Sequence, residues 1–141
     1  MFRKILVGLD GSEGSWKALR AAIALSQIEP GCELWALSVE ERLPRMPEVI
    51  DELSEEKARQ NAIFESVQKQ ARQLTGEAGV DLRMRIIVGH AAQATVRFAE
   101  AGQFDCIVVG HSGRSGVWGT FLGSTADKIV RHATCSVLVV R

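Results

Sequence analysis

The chain has 141 residues, balances 17 Lys and Arg against 17 Asp and Glu, and is 46% hydrophobic. That length buries one well-formed core and is short for two typical domains, so one domain over 1–141 is expected. Zero net charge provides no long-range field to attract nucleic acid or an anionic membrane, and any anion site must therefore be local.

The first apolar run, 5–9, follows Met1-Phe2-Arg3-Lys4 and stops at Asp10. It is too short for a secretory core, and no run approaches the roughly 20 residues that span a bilayer; a cytoplasmic protein is expected. Further apolar runs occur at 34–39, 84–88, 106–109 and 137–140. Most are continuous rather than alternating, as in strands of a parallel sheet covered on both faces.

Helical patterns separate these runs. Ala18, Leu19, Ala22, Ile23 and Leu25 form one apolar face, and Ile63, Val67, Ala71 and Leu74 a second. Ala92, Val96 and Ala99 form a third, and Ala126, Ile129, Val130 and Ala133 a fourth. Residues 42–47, with two prolines, read as a surface loop, and the mixed charges of 51–59 as the solvated opening of a helix. Gly102 suits the C-terminal cap of the third helix. The order βαβαβαβαβ predicts an α/β fold: a doubly wound, Rossmann-like, five-stranded parallel sheet with helices on both faces.

Cys32, Cys106 and Cys135 form no C-x-x-C pair and read as small hydrophobes. His90, His111 and His132 lack metal-ligand spacing. His111 reads as a loop imidazole bonded to backbone rather than an acid or base, since no carboxylate or nucleophile is visibly paired with it.

The densest signal is Gly110-His111-Ser112-Gly113, nine residues, then Gly123-Ser124-Thr125, between a strand and a helix. Glycines admit close approach of backbone N–H groups to an anion, and the start of a helix carries partial positive charge. Two readings stay open for this motif. It binds phosphate, or Gly113, Gly116 and Gly119 only loosen a loop while Ser124 or Thr125 caps the next helix.

With strand order 3-2-1-4-5, strands 1 and 4 meet where the order reverses, the place where open parallel sheets bind ligands. Asp10 and Gly110 would then face one crevice, which fits a nucleotide. For Asp10 a helix cap is the alternative, although Ser12 could cap instead. Gly8-Leu9-Asp10-Gly11 lacks the dinucleotide G-x-G-x-x-G, and no P-loop lysine motif occurs, so binding is favoured over phosphoryl transfer.

The complete G-x-x-G-x9-G-[ST] motif (Gly110, Gly113, Gly123, Ser124), together with the first strand and Asp10, closely resembles the universal stress protein family along essentially the whole chain. The resemblance implies the ATP-binding branch, with ATP, AMP or cyclic AMP as ligand and Mg accompanying ATP. It implies ribose or adenine contact at Asp10, adenine contact at Val39, and neighbouring contacts from Leu9 and Val109. Gly89 would open the fourth βα turn beside the site, and Ser112, Thr125 and Arg114 would lie near phosphate. Trp118, Phe121 and Leu122 are expected to pack against a helix or a subunit. The resemblance further implies a homodimer through the edge strand 137–140, from Val137 to Val140, and a stress-response or regulatory role exerted through protein partners. A slow ATP-hydrolysing enzyme using His111 or Asp10, and a ligand-free interaction module, remain the competing functions.

Overall fold

The computed structural model describes residues 1–41, 50–112 and 121–141, and of 50–54 the backbone alone. The elements run β1 (Lys4–Gly8), α1 (Glu13–Ser26), β2 (Glu33–Glu40), α2 (Ile50–Ala78), β3 (Leu82–Val88), α3 (Ala91–Ala101), β4 (Cys106–Gly110), α4 (Ser124–His132) and β5 (Ser136–Val140). All four strand pairings are parallel, and the sheet has five strands in the order β3-β2-β1-β4-β5. The expected fold class and strand order are therefore observed. The expected loop at 42–47 and residues Gly113, Arg114, Gly116, Trp118 and Gly119 lie outside the described residues.

Alternation of side chains along each strand divides the core in two. Ile5, Val7, Leu34, Ala36 and Val108 pack under α1 and α2, which contribute Leu19, Ala22, Val67 and Ala71. Leu6, Leu37, Ile107 and Val109 face the other way, onto Ala92 and Ala99 of α3 and Ala126 and Ile129 of α4. Ile5, Leu6, Val7 and Ile107 are wholly buried. Each such side chain stabilises the fold by about 1.5–3 kcal/mol. The central strands are apolar on both faces, hence the continuous runs.

The third strand begins two residues before its apolar run. Leu82 pairs with Leu34 and Arg83 with Trp35, so the strand alternates where the interior strands do not. At this sheet edge Arg83 and Arg85 lay their guanidiniums 5.6 and 5.4 Å from the Trp35 ring, and Lys4 Nζ approaches the same ring and that of Phe104. Phe98 and Phe104 meet Trp35 edge-on.

Two features of the turns add to what was expected. Gly102 is the C-cap of α3 but keeps φ at −86°, and the left-handed residue is Gln103 at φ 55°. A Cβ on Gly102 would lie 2.5 Å from the Phe104 ring, so packing rather than backbone conformation calls for glycine there. Leu122 packs on the α3–α4 core, so the expected helix contact is found there, while Phe121 is exposed in the single chain. Cys106 is buried, and Cys32 and Cys135 are partly so.

A tighter constraint joins α1 to β4. A Cβ on Gly14 would stand 2.1 Å from Ser112 O, and one on Gly110 would stand 2.6 Å from the Gly14 carbonyl. The first turn of α1 thus rests backbone to backbone on the end of β4. Gly14→Ala is expected to destabilise the protein by about 1–3 kcal/mol or more in urea unfolding. Gly76→Ala, inside α2 with nothing within 4 Å, should instead stabilise it by about 0.5–1 kcal/mol.

Burial, with a smaller contribution from Cys135, pushes the Cys106 thiol up to about 11 from 9.0. The folded state holds the proton more tightly than the unfolded chain, so its stabilisation is complete below pH 9 and disappears as the pH rises through 11. Two units correspond to about 3 kcal/mol. Stability measured by urea between pH 8 and 11 should therefore fall less steeply in Cys106→Ala than in the parent protein.

Candidate functional site

Right-handed crossovers send β1 to β2 on one side and β3 back to β4 on the other, which opens a crevice at the carboxyl ends of β1 and β4. A cleft of about 290 Å³ occupies it, on the α3–α4 face. Leu9, Asp10, Val39, Val109, Gly110, Ser112, Gly123, Ser124 and Thr125 all line it. Nine of the residues expected from sequence thus converge. Gly89 does not: it follows β3, so it opens the third βα turn rather than the fourth, and its N–H donates to Glu40 O at 2.9 Å. Gly113 and Arg114 fall outside the described residues.

Three helix N-termini approach the cleft, and their backbone N–H groups meet different fates. At α1, Ser12 is the N-cap and its hydroxyl accepts from Ser15 N–H at 3.2 Å. Asp10 Oδ1 accepts from Ser12 N–H at 2.9 Å, an Asx-type turn that orders the chain between β1 and the helix. The capping alternative is therefore resolved in favour of Ser12, with Asp10 supporting it. At α3, the Glu41 carboxylate accepts from Ala91 N–H at 3.0 Å.

At α4 the N-cap is Gly123, which has no side chain to offer. Neither Ser124 nor Thr125 caps the helix, because both lie inside its first turn. Gly123 donates its own N–H to His111 O at 2.8 Å, and its carbonyl accepts the first helical bond from Asp127. The N–H groups of Ser124, Thr125 and Ala126 precede that bond and so lack a partner within the helix. They sit beside two hydroxyls and carry the positive end of the helix dipole. Of the three described termini, α4 is the one arranged for an external anion.

His111 holds this arrangement through its backbone. Its N–H donates to Val140 O at 2.8 Å while its carbonyl takes Gly123, so both ends of the 111–123 loop are tied to the sheet. The backbone bonds described at His111 are made by its own peptide groups, not by the imidazole that was expected to make them.

The other end of the cleft is built by β2. Leu37 pairs with Gly8 in the last β1–β2 rung, and its carbonyl accepts from Leu9 N–H at 2.9 Å. Peptide groups alternate along a strand, so Val39 aims its N–H and C=O to the same side as Leu37, where β1 has already turned off at Asp10. The Ser38 hydroxyl donates to Leu9 O at 2.6 Å and holds the two strand ends together. Because β2 and β4 flank β1, these two ends of the cleft lie about 10 Å apart. An anion at one end and a planar polar group at the other would be well separated.

Sequence reasoning did not identify Glu41, Ala91, Thr95 and Ser15, which also line the cleft. Thr95 is buried, its hydroxyl donating to Ala91 O at 2.7 Å, and Ser15 donates its hydroxyl to Ser12 O at 2.8 Å. The only available signal was that Glu41 follows the second apolar run, with Glu40 alone between them. A larger groove of about 760 Å³ opens between α1 and α2, but its charged lining residues are Asp10 and Glu13. It is ill suited to an anion.

The Universal stress protein family model matches residues 1–141. The universal stress protein YxiE of Bacillus subtilis is 33% identical, covering all of both chains. Among solved structures, universal stress protein UspA from Lactobacillus plantarum superimposes with a TM-score of 0.90 at 26% identity, over 99% of this chain and 98% of that one. A universal stress protein solved in complex with cAMP gives a TM-score of 0.74 at 27% identity, over 99% and 97%. With the switch-point cleft and the open α4 terminus on the same sheet order, the chain belongs to the universal stress protein family.

Proposed function

We propose that the protein binds an adenine nucleotide, ATP with AMP or cyclic AMP as alternatives, and acts in stress response or regulation through that binding rather than by phosphoryl transfer. The observation that carries this reading is the α4 N-terminus, open at Gly123 and facing the cleft, opposite the Val39 peptide groups. Phosphate fits the first, and a purine edge with adjacent donor and acceptor fits the second. The neighbour complexed with cAMP supports the same ligand class. Asp10 lines the cleft between the two ends, within reach of a ribose. Among the described residues no group of three His, Cys, Asp or Glu could hold a metal. Mg accompanying ATP would be held chiefly by phosphate oxygens and water, as is usual for this ion at nucleotide phosphates.

Gly123→Val should abolish ATP binding in calorimetry while leaving the unfolding transition in place. Ser124→Ala should weaken binding roughly ten- to a hundred-fold, since a charged hydrogen bond contributes about 1.5–3 kcal/mol. Unchanged affinity in Gly123→Val would remove the phosphate assignment. Asp10→Ala is expected to weaken ATP without altering the affinity for free triphosphate.

The same reading includes a homodimer through β5. This strand ends the sheet, and Leu138 is 40% exposed on it, an apolar edge that a second copy would cover. Val139 packs inward on the α3–α4 core, so Leu138 is the cleaner probe. Sedimentation should show a dimer for the parent protein and a shift toward monomer for Leu138→Lys; a monomeric parent would refute the interface.

A further inference from the structure

We propose that Glu41 determines which way round a nucleotide lies in the cleft and selects a base carrying an exocyclic amine. The inference rests on the nucleotide reading above and adds a residue to it. Of the three helix N-termini at the cleft, α1 is capped by Ser12, and by geometry alone either of the other two, α3 and α4, could take phosphate. Glu41 removes that symmetry. Its Oε1 accepts from Ala91 N–H at 3.0 Å, and its Oε2 lies 3.5 Å from His90 Nδ1. The α3 terminus is thereby filled with a full negative charge, while the α4 terminus has no side-chain cap. Phosphate is repelled from the β2–α3 end and directed to Gly123 and Ser124.

The base is then left at the β2–α3 end, where Glu41 follows Val39 by two residues and lines the same cleft. An ionised carboxylate accepts hydrogen bonds and donates none. The 6-amino group of adenine can donate to it, whereas the 6-keto oxygen of hypoxanthine meets a second acceptor and is disfavoured. His90 is the imidazole facing Glu41, and both side chains are mostly exposed, so each can adjust when a base arrives.

Glu41→Gln isolates this role. The amide carbonyl can still accept from Ala91 N–H and preserve the helix cap, while the NH2 group replaces Oε2 with a donor suited to a keto oxygen. Calorimetry with AMP and IMP against both proteins reads the effect. The parent should prefer AMP by about ten-fold or more, and Glu41→Gln should lower the AMP-to-IMP preference by about ten-fold, chiefly through tighter IMP binding. If the parent binds AMP and the preference is the same in Glu41→Gln, the role of Glu41 is refuted and the nucleotide reading stands. If the parent binds no adenine nucleotide at all, both fall together.

Discussion

The contact between Gly14 and the end of β4 is the constraint on which the site depends. Helix α1 can begin where it does only because neither Gly14 nor Gly110 carries a Cβ, so the backbones pass within side-chain-free distance of one another. That contact brings the β1–α1 turn, with Asp10 and Ser12, against the strand that leads into the glycine loop. A wider separation would move the carboxylate of one turn away from the helix terminus of the other. Gly110 therefore belongs to the packing of the fold at least as much as to any ligand.

From this junction the chemistry of the cleft follows by subtraction. Each helix beginning at the carboxyl edge of the sheet has N–H groups in need of acceptors. The α1 terminus satisfies them with Ser12 and the α3 terminus with Glu41, whereas α4 begins at a glycine and holds its partial charge open to the cleft. The His111 backbone, tied to β5 on one side and Gly123 on the other, keeps that terminus in place. Such a terminus suits an anion even in a chain of zero net charge, through local dipoles rather than a basic surface.

Much of this was legible in the residues. The interior strands announced themselves as continuous apolar runs because both of their faces are covered, whereas the order 3-2-1-4-5 entered as a condition that the strand pairings meet. The edge strand β3 was read short, since Arg83 and Arg85 interrupt its apolar pattern where one face meets water and the Trp35 ring. Gly89 was expected to open the fourth βα turn, but it follows the outermost strand β3, three positions from β4 by way of β2 and β1. The role of Gly14 left no local signal, because a close backbone contact nearly one hundred positions along the chain has no periodicity to read.

The sequence by itself determined the element order, the covered interior of the sheet and the residues of the glycine-and-hydroxyl loop, because these depend on side-chain periodicity and on backbone freedom within a few residues. Only the tertiary structure decided which capping alternative holds at Asp10 and Ser12, and that Ser124 and Thr125 lie within the helix rather than capping it. It alone brought Glu41 to the Ala91 N–H across 50 residues of chain. It also aimed the Val39 peptide groups into the space left by β1. Such contacts join groups that are distant in sequence, and their geometry exists only once the crossovers have closed around the sheet.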